Sequence, residues 1–266
     1  MRGDNRPVTK GVILYKYYPA DRADVLERRI IYFSHPSAFN DPFELAPYFR
    51  PSIPERLHKI LKEDLNYPPR ELPKHYEDMT VRSKLERAKL EDEHKHTLVF
   101  SMSEEADQFM KWAYYATGHS GFAIGFHSDH ERLKNRLDGG SRRLQQVNYA
   151  TLRPAVDRFD ELREQEMLLT KSTHWMHEKE WRMFESPFNS DENHSVVPGV
   201  WGFRLEPATV NEVVLGARIV VSTEQRILTA LSTPAFKHVL VRRIVLDEEQ
   251  FRLNFAVIRE GVASQD

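Results

Sequence analysis

Residues Gly11-Val12-Ile13-Leu14-Tyr15-Lys16-Tyr17-Tyr18 are mainly apolar, β-branched and aromatic, and the run stops at Pro19. A short stretch of this composition, closed by proline, reads as a buried β-strand. Three further runs share its character: Ile30–Ser34 (IIYFS), Thr97–Ser103 (TLVFSMS) and Gly121–His127 (GFAIGFH). Strands are also expected to end at Val147-Asn148-Tyr149 and to fall at Glu180–Glu185, Val200–Leu205, Val213–Leu215, His238–Val245 and Phe251–Ile258. Helical stretches lie between them at Asp21–Arg29, Gln108–Thr117, Ala155–Thr170 and Ser222–Leu231, the last with Ser222 as N-cap. Strands at both ends with helices interspersed predict an α+β fold around one mainly antiparallel sheet system.

Residues 51–96 break this rhythm. Ser52–Leu65 and Lys74–His96 read as helices parted by Pro68-Pro69, and the second carries Arg82/Glu86, Arg87/Glu91 and Lys89/Glu93 four apart. Such pairs contribute only about 0.2–0.5 kcal/mol each and mark a solvated face. The segment reads as a helical insertion in a single domain over 11–260, with 1–10 and 261–266 as flexible tails.

The chain has 266 residues, 40% hydrophobic and 29% charged. A protein of this length buries roughly 70–75% of its unfolded surface, enough for a substantial core. Cysteine is absent, so disulfides, thiolate metal sites and a cysteine nucleophile are excluded. Lys+Arg 38 against Asp+Glu 40 leaves −2, which gives no global field toward nucleic acid or an anionic membrane. Nucleic acid would need a local basic groove. No apolar run reaches the roughly 18 residues of a membrane helix, and the polar start Met1–Pro7 lacks the core of a signal peptide. A soluble, cytoplasmic protein is expected.

Candidate chemistry concentrates in a few segments. In extended backbone, residues two apart share a face, so Glu178, Glu180 and Arg182 are expected together, with Trp181 and Met183 turned toward the core. An ion-paired strand edge explains this pattern; so does a carboxylate pair lining a cleft, with Arg182 orienting one member. On Thr97–Ser103 the hydroxyls of Ser101 and Ser103 share a face. They either line a polar pocket, or Ser103 caps the next helix ahead of Glu104 and Glu105. Lys16, between Tyr15 and Tyr17, faces the other side of its strand, where it snorkels or holds a phosphate.

His174 and His177 stand three apart, but the order fits neither HExxH nor HxxEH. A third ligand would have to come from His119, His127 or Asp41, and no metal ligand is assigned. GxSxG, GxxxxGK[ST] and GxGxxG are all missing, so neither a hydrolase elbow nor a P-loop or Rossmann phosphate site is supported. Trp112, Tyr114 and Tyr115 at helical spacing read as core. A stacking surface for single-stranded nucleic acid needs basic neighbours, and only Lys111 is near.

Several of these segments together resemble an uncharacterised bacterial family, the domain of unknown function 2971. The blocks are Leu14-Tyr15-Lys16-Tyr17, Tyr32-Phe33-Ser34 and Phe39-Asn40-Asp41-Pro42-Phe43-Glu44, then Phe100-Ser101 and Trp112 with Tyr115. Gly121–Phe126, Lys171 with Trp175, Glu178-Lys179-Glu180-Trp181-Arg182 and Leu215-Gly216 follow in order. That family implies no established activity.

A more distant similarity is to toxin-like ADP-ribosyltransferases, which carry a basic residue on the first strand, a Ser-x-Ser strand and a Glu-x-Glu strand. Lys16, Ser101-Met102-Ser103 and Glu178-Lys179-Glu180 follow that order. The resemblance implies an NAD-dependent ADP-ribosyltransferase-like effector in bacterial defence or a toxin system, with NAD as substrate and a macromolecular acceptor. It implies that Glu180 stabilises the oxocarbenium-like ribose and that Glu178 positions the acceptor. The implied nucleotide site comprises Lys16, Tyr17, Asn40, Ser101, Ser103, Tyr115 and Arg182. Lysine stands where the toxins have arginine, which removes the bidentate fork to phosphate. Two other classes compete. One is a metal-dependent nuclease or phosphohydrolase using Asp41, Glu44, Glu178 and Glu180 with nearby histidines. The other is a non-catalytic sensor or interaction module in which Asp41, Glu44 and Arg182 form structural ion pairs.

Overall fold

A computed structural model of the chain describes residues 11–44, 48–49, 96–134, 144–156, 164–189 and 199–262. The expected insertion lies outside them except at its last residue. In chain order come β1 (Ile13–Tyr18), α1 (Asp24–Arg28), β2 (Ile30–Ser34), β3 (Tyr48–Phe49), β4 (Leu98–Ser103) and α2 (Phe109–Tyr115). Then follow β5 (Phe122–His127), α3 (Glu131–Lys134), β6 (Leu144–Gln146), β7 (Asn148–Ala150), β8 (Ala155–Val156), α4 (Glu164–Leu169) and β9 (Thr170–Ser172). The remainder is β10 (Glu180–Glu185), β11 (Val200–Arg204), β12 (Val210–Leu215), α5 (Val221–Leu231), β13 (Leu240–Leu246) and β14 (Leu253–Arg259). Among the described residues, no helix is long and apolar enough to cross a membrane.

The main sheet runs β11-β2-β4-β1-β5-β12-β13-β14, with β10 and then β6 attached at β4. Its pairs are antiparallel except β12 with β13. This is the expected α+β architecture. Both faces of the sheet are covered. Leu14 and Tyr18 of β1 join one core with Phe100, Phe122 and Ile124, while Tyr15 and Tyr17 join a second with Trp112, Ala123 and Val214. Burial on both faces explains why β1 reads as a continuous apolar run rather than an alternating one.

The sheet divides at β4. One edge of β4 pairs with β10 along its whole length, from Glu180↔Ser103 to Glu185↔Leu98. The other edge meets β1 only at Tyr15↔Ser103 and β2 at Ser34↔Val99. Strands β1 and β4 therefore diverge and leave a gap between them. On its far side β1 pairs fully with β5, where Tyr15 lies opposite Gly125 and Gly125 opposite Glu212. The Tyr15 hydroxyl donates to Glu212 Oε1 at 2.6 Å. A Cβ on Gly125 would stand 2.9 Å from the Tyr15 ring and 3.0 Å from Glu212, so only glycine leaves room for this contact.

Three local expectations are corrected. Of the helix expected over Ala155–Thr170, the described part is helical only at Glu164–Leu169; Ala155–Val156 pairs in parallel with β3, and Thr170 opens β9. Charges at helical spacing do not outweigh a strand partner. The strand expected to end at Tyr149 breaks at Val147, so β6 pairs with β10 whereas β7 pairs with β9. Ser222 is not the cap of α5: the helix starts at Val221 after Val220, which offers no side-chain bond. Burial of Thr223, Ile227 and Leu231 on one side of α5 sets its position instead.

Candidate functional site

A cavity of about 380 Å³ opens where β1 and β4 part. Lys16 and Tyr17 line it from β1, Ser101 from β4, and Glu180 from the start of β10. Asn40, Tyr115, Lys171 and Glu178 complete the polar wall, and Ser34, Phe39 and Tyr114 add to the rim. Residues directly opposite in a sheet point the same way. Tyr15, Ser103 and Glu180 therefore share one face, while Lys16 points to the other with Leu14 and Phe100; its ammonium lies 5.0 Å from the Phe100 ring centroid. An unbroken sheet would keep Lys16 and Glu180 on opposite sides. The split lets both line one space.

The two glutamates arrive by different routes. Glu178 ends a 3₁₀ turn, Thr173–Glu178, that Ser172 caps by accepting from the His174 N–H. Lys179 then takes a left-handed conformation, φ 43°, and the strand starts at Glu180. This corrects the expectation that Glu178, Glu180 and Arg182 share a strand face: the chain turns a corner between the carboxylates. A left-handed lysine costs roughly 1–2 kcal/mol, and contacts on the residues either side of it help to hold it. The Ser103 hydroxyl donates to the Glu178 carbonyl at 2.7 Å, and the Glu180 N–H donates to the Tyr149 hydroxyl at 2.8 Å. Ser103 is thus buried beneath the corner and neither lines the cavity nor caps α2, whose N-cap is Gln108.

One ammonium joins the two carboxylates. Lys171 Nζ donates to Glu178 Oε2 at 2.8 Å and to Glu180 Oε2 at 2.7 Å. The Tyr115 hydroxyl donates to Glu178 Oε1 at 2.8 Å, and Lys111 lies 3.8 Å from Oε2. Arg182 is fully buried behind Glu180. Its Nε donates to Glu180 Oε1 at 2.8 Å, its Nη1 donates to the Leu168 carbonyl at 2.8 Å, and its Nη2 pairs with Glu44. Arg182 therefore does not line the cavity; it orients the glutamate that does. Buried charges are costly unless each is paired and hydrogen-bonded, which this network achieves.

Burial works against the charge of Glu178, yet Lys111 and Lys171 hold its carboxyl below the usual range. Burial likewise opposes the Lys171 charge, but Glu180 and Glu178 outweigh it and raise this amine. Lys16 differs. Burial and the neighbouring Lys111 charge lower it to about 8, and among the described residues no carboxylate pairs with it. The cavity thus has a neutralised acidic wall and, opposite it, an amine that Glu180 and Glu178 favour only from a distance.

The histidines do not converge. His174 is exposed and bonded to Ser172, and the buried Nε2 of His177 has no hydrogen-bond partner among the described residues. Nor do three or more His, Asp or Glu side chains come together there in a way that could hold a metal ion. Trp112 is core, with its Nε1–H donating to the Ala106 carbonyl, but Tyr114 of the same helix is exposed at the rim. Residue by residue, the sequence offers no sign that Lys111 and Lys171 are buried at the site, because lysine is almost never fully buried unless paired. Only the family spacing of Lys171 with Trp175 pointed to one of them.

No curated protein and no solved structure matches the chain. The model of a family described as a protein of unknown function (DUF2971) matches residues 111–183. That span begins in α2 and ends in β10, taking in Tyr115, Lys171, Glu178, Glu180 and Arg182. The family is the one that the sequence blocks resemble, and the match covers residues 111–183 of the 266.

Proposed function

We propose that the cavity is the site of an NAD-dependent ADP-ribosyl transfer, with NAD as substrate and a macromolecule as acceptor. The observation that carries this reading is that Lys16, Ser101 and Glu180, one from each of the adjacent strands β1, β4 and β10, line one cavity. In the transfer, the bond between nicotinamide and ribose C1′ breaks and nicotinamide leaves with the bonding pair. The acceptor nucleophile attacks C1′ and gives up its proton. Positive charge develops on the ribose in between, and the fixed Glu180 carboxylate opposes it. Preorganised charge of this kind supplies on the order of 3 kcal/mol.

Lys16 is a cation in the same space that no carboxylate pairs with among the described residues, suited to a diphosphate. The alternative use of two carboxylates, acid–base glycoside cleavage, needs one of them protonated. Lys111 and Lys171 oppose that state at Glu178. The cavity volume lies within the range of small-molecule sites, about 300–1,000 Å³. Tyr114 of α2, which lines the cavity, is exposed, as are Phe109 and Met110 of the same helix. An effector role in bacterial defence or a toxin system is part of the same proposal.

The test is nicotinamide release from NAD by the purified protein, with and without acceptor extracts, compared with Glu180→Gln. The expected result is release by the wild type and a loss of about 100-fold or more in the variant. No release by the wild type, or equal release by the variant, overturns the reading.

A further inference from the structure

We propose that Lys171 is the positioning residue of this cavity, one ammonium that sets the orientation of both Glu178 and Glu180. The inference rests on the transfer reading for its catalytic consequence, but its geometry stands apart from it. Lys171 is buried and bonds one oxygen of each carboxylate at 2.8 and 2.7 Å, with Glu44 Oε2 at 3.6 Å. The Trp175 ring centroid lies 5.3 Å from its Nζ. The remaining oxygens have other donors, Tyr115 on Glu178 and Arg182 on Glu180. Each glutamate is therefore held at both ends, and Lys171 is the only group that donates a hydrogen bond to both among the described residues.

The corner at Lys179 makes such a clamp necessary. It brings two carboxylates from different elements toward one point, where like charges repel and one would take up a proton. Around the pair stand Lys16 of β1, Lys111 and Tyr115 of α2, Tyr149 of β7, Arg182 of β10 and Glu44. Of the cations, Lys16 pairs with neither glutamate, Lys111 is 3.8 Å from Glu178, and Arg182 serves Glu180. Without Lys171, Glu178 would keep, among the described residues, only Lys111 at 3.8 Å and the Tyr115 hydroxyl. Its proton affinity would rise, and one of its oxygens would lose its hydrogen-bond donor.

The test uses the full-length protein with Lys171→Met and Lys171→Gln, taking whichever keeps the wild-type melting profile. Carbon-13 NMR of labelled glutamate, assigned with Glu178→Gln, follows the Glu178 carboxyl through a pH titration. Its midpoint should rise by about one unit or more, the scale expected when an adjacent counter-charge is removed. Nicotinamide release should lose kcat with little change in KM, and the acidic limb of its pH profile should move upward with the NMR midpoint. Lys171→Arg should recover part of the loss. An unmoved Glu178 midpoint in a folded variant overturns the proposal, as does full activity with an unshifted profile. If the wild type releases no nicotinamide, the transfer reading fails while the titration still decides the role of Lys171. If neither neutral variant folds, the wild-type titration decides: a Glu178 midpoint at or above the ordinary glutamate value, roughly 4.3, overturns the proposal.

Discussion

Tyr15 of β1 and Ser103 of β4 are register partners, and among the described residues theirs is the one pair that joins these two strands. Beyond it the strands part, β4 turns to β2, and the cavity occupies the gap. The same row continues across the sheet. Ser103 lies opposite Glu180 on one side, and Tyr15 lies opposite Gly125 on the other. A single cross-strand row thus ties the proposed reaction centre to the packing of the sheet.

That row makes Gly125→Ala a test of the fold rather than of chemistry. The new methyl would stand 2.9 Å from the Tyr15 ring and push it from Glu212. Overpacking of this kind costs about 1–3 kcal/mol. Urea unfolding should show the loss, and a variant as stable as the wild type would mean that Tyr15 moves aside without cost.

The two serines of β4 should separate cleanly. Ser103→Ala removes a buried donor from the Glu178 carbonyl and should cost about 1–3 kcal/mol of stability. Ser101 lines the cavity and is partly exposed. Ser101→Ala should stay within about 0.5 kcal/mol of the wild type while weakening nucleotide binding. Thermal melts and calorimetry with ADP-ribose distinguish them, and equal stability losses would contradict this division.

Arg182 holds Glu180 and Glu44 from full burial. Removing one partner of a buried ion network leaves charge uncompensated and costs about 3–5 kcal/mol. Arg182→Met should therefore unfold at markedly lower urea. A loss under about 1 kcal/mol would show that the carboxylates find other donors.

Lys16 sets a pH dependence. Its amine titrates at about 8 in the folded protein, against roughly 10.4 in an unfolded chain. The ammonium is present below that pH and lost above it, so binding of a diphosphate through Lys16 weakens as pH rises. Between about pH 7 and pH 9 the charged fraction falls about tenfold, and ADP-ribose affinity should follow; Lys16→Arg should remain flat. Folding moves the other way. From about pH 8 to 10.4 the unfolded chain binds more protons at this site, so the Lys16 contribution favours the native state increasingly as pH rises. A flat wild-type binding profile would refute the assignment.

The amino-acid sequence by itself determined the strands that carry the site. The segments around Lys16, Ser101 and Glu180 read correctly as strands because local composition decides them: β-branched and aromatic runs, stopped by proline or polar residues. The α+β class followed from their order. Weaker local signals misled where a distant partner decided, as at Ala155–Val156, which pairs with β3, and at Ser103, whose hydroxyl bonds a carbonyl beyond the next helix rather than that helix.

Only the tertiary structure decided that β1 and β4 part beyond Tyr15 and Ser103, that Lys16 and Glu180 line one cavity from opposite faces, and that Lys171 joins the two glutamates. The reason is range. A strand is specified by its own few residues, whereas a gap in a sheet depends on which edges meet. A buried lysine is tolerable only beside carboxylates that other elements deliver.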